Sequence, residues 1–93
     1  MMRQVHAFFS GNVQGVGFRA TADHIARELP VTGFVRNLRG GKVELVIEGD
    51  EEILENFLQR LRRSFLSKCI YGMEVRWLEA TGIFQDFSIR YSL

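Results

Sequence analysis

Between residues 9 and 19 the periodicity of the chain changes from two to about 3.6 across a turn that holds three glycines. On the near side, Val5, Ala7 and Phe9 alternate with Gln4, His6 and Ser10, which is the pattern of a β-strand. On the far side, Phe18, Ala22, Ile25, Ala26 and Leu29 fall on one face of a helix, and Thr21, Asp23, His24, Arg27 and Glu28 fall on the other. The only proline, Pro30, ends that helix, because the residue before a proline disfavours helical angles. A strand, a glycine turn and a helix in direct succession commit the chain to a βα unit. Phe8 breaks the alternation of the strand, so a central strand covered on both faces is expected.

The turn itself points to chemistry. Glycine reaches backbone angles closed to other residues, so Gly11, Gly15 and Gly17 can aim several N–H groups at one point. The helix adds the partial positive charge of its N-terminus, and the two together form a socket for an anion such as phosphate. Arg19 lies in the first helical turn, where a cation opposes the macrodipole by several tenths of a kcal/mol. A bound dianion would reverse that penalty, and a guanidinium binds phosphate through paired donors. A solvated surface arginine beside a flexible turn explains the same residue, and the turn alone leaves both readings open.

The rest of the chain supplies the order of elements. Val31 to Leu38 and Lys42 to Glu48 read as strands joined by a tight hairpin at Arg39-Gly40-Gly41. In the second of these, Val43, Leu45 and Ile47 face one side and Lys42, Glu44 and Glu48 the other, with Val46 as the exception. Asp50 is a good N-cap for a helix that starts at Glu51 and Glu52 and buries Ile53, Leu54, Phe57, Leu58 and Leu61. Arg60, Arg62 and Arg63 complement the far end of its dipole. Residues 64–70 carry no clear pattern: the helix runs on, or a loop forms. Met73, Val75 and Trp77 alternate in a fourth strand, and a turn near Thr81-Gly82 leads to a short last strand with Phe87, Ile89 and Tyr91.

This βαββαβ order with a terminal strand is the α+β, ferredoxin-like arrangement, with two helices on one face of a mostly antiparallel sheet. The 93 residues suffice for one domain, 1–93, and one core. Net charge is only +1, which argues against a general nucleic-acid or membrane-surface binder. Cys69 is the sole cysteine, residues 1–7 lack the apolar run of a signal peptide, and no stretch is long enough to span a membrane. A cytoplasmic protein is expected. The two histidines, His6 and His24, lie in different elements, the acids are scattered, and no metal or cofactor is expected.

Two stretches resemble the signatures of the acylphosphatases. The first is Gly11-Asn12-Val13-Gln14-Gly15-Val16-Gly17-Phe18-Arg19, and the second is Gly33-Phe34-Val35-Arg36-Asn37 followed by Gly41, Val43 and Gly49. The resemblance implies hydrolysis of the carboxyl–phosphate bond of a small acyl phosphate; a monomer is expected. It implies that Arg19 binds phosphate with the backbone N–H groups of Gln14, Gly15, Val16, Gly17, Phe18 and Arg19, and that the Asn37 carboxamide holds the attacking water. Read locally, Asn37 is simply a strand-end residue before a turn. The chain departs from the family at Phe9, where an aliphatic residue is usual, and at 64–70, which commonly carries glycine and proline.

Three rival readings remain to be weighed. Gly15-Val16-Gly17-Phe18-Arg19-Ala20 satisfies a dinucleotide-binding pattern, but the second strand ends without an acid for a ribose and the chain is too short for a doubly wound sheet. A non-catalytic anion- or RNA-binding module would need exposed aromatics on the central strands, and Lys42 to Glu48 has none. Acylphosphatase-like domains also occur in larger carbamoyl-phosphate-processing proteins, which carry further domains.

Overall fold

In a computed structural model, which describes residues 1–91, the elements run β1 (Met2–Gly11), α1 (Phe18–Glu28), β2 (Thr32–Asn37), β3 (Val43–Asp50), α2 (Glu51–Arg63), a 3-10 turn (Phe65–Lys68), β4 (Ile70–Glu79) and β5 (Phe87–Arg90). The five strands form one sheet in the order β4-β1-β3-β2-β5. All neighbours are antiparallel except β2 and β5, which run parallel. Both helices pack on the same face, giving the ferredoxin-like sandwich that the order of elements predicts.

Register explains the core. Val5, Ala7 and Phe9 of β1 sit opposite Ile47, Leu45 and Val43 of β3, and Val35 of β2 sits opposite Leu45. These side chains share the helix-covered face with Phe18, Ile25, Leu54, Phe57 and Leu61, all buried. Phe9 packs against Phe18 with the two rings tilted by 52° and their centroids 4.9 Å apart. That contact ties the end of β1 to the start of α1 and so fixes both ends of the intervening turn. Leu29 closes α1 in an extended conformation, as expected of a residue before Pro30.

The second face of the sheet corrects several expectations. β1 is interior, with β4 and β3 as neighbours, but helices cover only one of its faces. Phe8 is half-buried on the open face and rests against the ring of His6 at 4.8 Å. Glu44 and Glu48 do point away from Val43, yet both are buried. Glu44 takes His6 Nε2 at 2.6 Å and Arg36 Nε at 2.5 Å. Burial pushes its carboxyl upward, but those two partners outweigh it and hold the group below its ordinary range. Val46, the exception in the strand pattern, is buried beside Phe34 on this open face.

Other boundaries move for local reasons. Asp50 occupies the N-cap of α2, but its carboxylate takes the Met1 ammonium at 2.8 Å in place of a backbone N–H. Residues 64–70 do not prolong α2; the connection folds as a short turn of its own. Ser64 stops the helix: its hydroxyl donates to the Leu61 carbonyl at 2.6 Å and accepts from the Leu66 N–H at 3.2 Å, so a single 3-10 turn follows. β4 therefore begins at Ile70, three residues before its alternating run. Tyr91 lies just beyond the end of β5.

Candidate active site

The turn predicted to bind an anion is built by two backbone conformations. Gly15 and Gly17 have φ of 76° and 84°, in the left-handed region. A Cβ at Gly15 would meet nothing within 4 Å, so the glycine there answers to backbone angle and not to space. Gly17 is the N-cap of α1, with no side-chain cap and no acid in the first turn. The first intrahelical bond runs from the Thr21 N–H to the Gly17 carbonyl at 2.9 Å. Helix geometry leaves the N–H groups of Phe18, Arg19 and Ala20 without intrahelical acceptors, and they open toward the turn.

A cavity of about 190 Å³ lies at this helix end, lined by Val13, Gly15, Gly17, Phe18, Arg19, Ala20, Asn37, Ile89 and Tyr91. Arg19 and Asn37, eighteen residues apart in the chain, line the same space. The register accounts for Asn37: two residues beyond Val35, it sits opposite Val43 on the helix-covered face, at the end of β2 that faces the start of α1. Arg19 is half-buried, with its guanidinium carbon 4.9 Å from the centroid of the Tyr91 ring. Arg19 is the one charged side chain among the lining residues, and none is acidic. The lining therefore carries net positive charge, and the volume admits a small anion.

Not every predicted loop residue faces the cavity. Gln14 and Val16 do not line it. The Gln14 amide donates to the carbonyls of Leu38 at 2.7 Å and Lys42 at 2.9 Å, so its side chain pins the turn to the β2–β3 hairpin. Val16 packs against the core. Val13, Ala20, Ile89 and Tyr91 are lining residues that the sequence reading did not single out. For Ile89 and Tyr91 the alternation of the last strand was the available signal, but only its parallel pairing with β2 shows which face they share.

A larger groove, about 650 Å³, runs between α2 and β4 and is lined in part by Glu52, Glu55, Arg62, Val75 and Trp77. Its two carboxylates outnumber its one guanidinium, which leaves a net negative wall that disfavours a phosphate. Among the described residues, no group of three or more His, Cys, Asp or Glu is placed to hold a metal ion.

The family model for acylphosphatases matches residues 5–89. An acylphosphatase from Methylococcus capsulatus is 44% identical over 88 residues, which cover 95% of this chain and 96% of that protein. The chain belongs to the acylphosphatase family. The crystal structure of acylphosphatase from Bacillus subtilis, 29% identical, superposes with a TM-score of 0.87 over 96% of this acylphosphatase-family chain and 99% of its own. Full-length HypF, in its phosphate- and nucleotide-bound form, contains a similar domain: 30% identity and a TM-score of 0.87 over 97% of this chain and 12% of HypF. No helix of the described residues is long and apolar enough to cross a membrane.

Proposed function

We propose that this chain hydrolyses acyl phosphates to a carboxylate and inorganic phosphate, and that Arg19 and Asn37 carry the reaction. The observation behind this reading is the cavity they share at the N-terminus of α1, with no acidic residue in its lining. The phosphate dianion accepts from backbone N–H groups of residues 14–19 and from the Arg19 guanidinium, whose fork matches two phosphate oxygens. The Asn37 carboxamide orients a water, since an amide can donate and accept at once without acting as a base. That water forms the new P–O bond as the bond from phosphorus to the acyl oxygen breaks. The electron pair leaves on the carboxylate, and the proton of the water passes to a phosphate oxygen.

The substrate class follows from the leaving group. The conjugate acid of a carboxylate has a pKa of about 4, so it departs without a general acid. An ordinary monoester expels an alkoxide and would need one. Orientation and charge stabilisation are what this lining offers, and phosphoryl transfer is well served by them. The domain, residues 1–93, acts as a monomer on a small molecule in the cytoplasm, where its single cysteine needs no partner.

An RNA-binding role is disfavoured by the open face. Phe34, the aromatic of β2 on that side, is buried under Phe84 at 5.9 Å and under the Arg90 guanidinium at 4.0 Å. A base would have to displace both before it could stack. The test is phosphate release from benzoyl phosphate by the purified chain with a metal chelator present. Turnover that the chelator leaves unchanged is expected. Release no faster than spontaneous hydrolysis would overturn the proposal.

A further inference from the structure

We infer that Phe65 forms a platform for the acyl part of the substrate, so that this chain favours aromatic acyl phosphates over small aliphatic ones. The inference rests on the proposed reaction and adds to it the identity of the acyl group. Phe65 opens the 3-10 turn after α2. The residue is 63% exposed and takes no part in the core, whereas the next one, Leu66, is fully buried and anchors the turn. A large apolar ring held outward on an anchored turn gains nothing for the fold by its position.

That position is beside the anion cavity. The Phe65 ring lies against Gly17, its Cζ 3.9 Å from where a Cβ on that glycine would stand. Gly17 in turn lines the cavity. The turn that carries Phe65 is docked on the phosphate loop, since the Asn12 N–H donates to the Cys69 carbonyl at 2.9 Å. Phe65 thus stands next to Gly17, just outside the residues that line the cavity.

In-line displacement selects this side for the acyl group. The entering water and the departing oxygen must lie on opposite sides of phosphorus. Asn37, which orients the water, ends β2, and Ile89 and Tyr91 come from or follow β5, its neighbour. The turn bearing Phe65 leads into β4, at the opposite edge of the sheet. A phosphate held between them with its water toward β2 directs its acyl group toward β4, across Gly17 and onto the Phe65 ring. A benzoyl ring there makes an aromatic pair, and an acetyl group does not reach one.

The experiment compares parent and Phe65→Ala with benzoyl phosphate and acetyl phosphate as substrates. In parallel, the dissociation constants of phenacylphosphonate and acetonylphosphonate, which cannot be hydrolysed, are measured by calorimetry. Loss of one aromatic pair is expected to raise KM for benzoyl phosphate, and Kd for phenacylphosphonate, about three- to tenfold. The acetyl and acetonyl values should not move, and Phe65→Tyr should restore parental selectivity. Equal effects on both ligands of a pair, or none on either, would overturn the inference. If neither acyl phosphate is turned over while the phosphonates still discriminate, the platform stands and the hydrolytic reading falls. Because the ring is exposed, the alanine variant should unfold at the parental denaturant midpoint, so a changed KM cannot be charged to misfolding.

Discussion

Glu48 fastens the segment between β4 and β5 to the sheet, and replacing it with glutamine tests how. Its buried carboxylate accepts from the Gln4 amide at 2.6 Å, the Thr81 N–H at 2.9 Å, the Thr81 hydroxyl at 2.8 Å and the Gly82 N–H at 3.0 Å. Burial pushes the carboxyl upward, but the main-chain donors of Thr81 and Gly82, with Thr81 Oγ1 and Gln4, hold it below its ordinary value. In Glu48→Gln one oxygen must serve where two did, and the amide NH2 group confronts at least one donor. A stranded buried donor costs about 1–3 kcal/mol, and each bond that loses its charged acceptor weakens by roughly half. Thr81 and Gly82 are exposed and can rehydrate, which keeps the sum to about 2–4 kcal/mol. That is a large share of the roughly 5–15 kcal/mol that holds a domain together.

The pH dependence has a definite sign. The folded-state value lies below the unfolded one, so the carboxylate stabilises the fold above the ordinary carboxylate value of 4.5, and the contribution is lost as pH falls through the lower folded value. Glu44, also held low, titrates in parent and variant alike and cancels in their difference. Urea unfolding of both proteins, at pH 7 and at pH values descending below 4.5, reads the effect. A deficit of about 2–4 kcal/mol at neutral pH should shrink as the parent carboxylate protonates. A deficit under about 0.5 kcal/mol, or one that does not depend on pH, would refute the reasoning.

Two further outcomes follow from the structure. At Gly33 a Cβ would stand 1.9 Å from the Val46 carbonyl oxygen, whereas at Gly15 it would meet nothing within 4 Å. Thermal unfolding should therefore show Gly33→Ala losing more than about 4 kcal/mol and Gly15→Ala only about 1–2 kcal/mol, the cost of a left-handed backbone alone. Hydrolysis of benzoyl phosphate in 18O-labelled water should place the label in inorganic phosphate; label in the benzoate would mean attack at the carbonyl carbon.

The parts of this molecule that can be read from the chain are those fixed by neighbours in sequence. Val5, Ala7 and Phe9 announce β1, the spacing from Phe18 to Leu29 announces α1, and the glycines at 15 and 17 announce a turn that needs left-handed angles. Asn37 is legible in position, being two residues past the buried Val35, but nothing local says that its face of β2 looks toward α1. The features that escaped are held by distant partners. Glu44 and Glu48 alternate like solvated residues, and only the strand and loop that arrive later bury them. Tyr91 meets Arg19 because β5 adds in parallel beside β2, a choice that no local pattern encodes. At 64–70 the Ser64 hydroxyl decides between helix and loop, through two hydrogen bonds that periodicity does not register.

The proposed reaction divides the labour between two side chains: Arg19 would hold the phosphate, and Asn37 would act on the water. Turnover of benzoyl phosphate and inhibition by inorganic phosphate, measured side by side in the parent, Arg19→Ala and Asn37→Ala, test it most directly. Arg19→Ala should weaken phosphate inhibition and lower kcat at least ~100-fold, as loss of a preorganised charge-stabilising donor does. Asn37→Ala should lower kcat while leaving phosphate inhibition at the parental level. Parental turnover in either variant, or parental phosphate inhibition in Arg19→Ala, would contradict it.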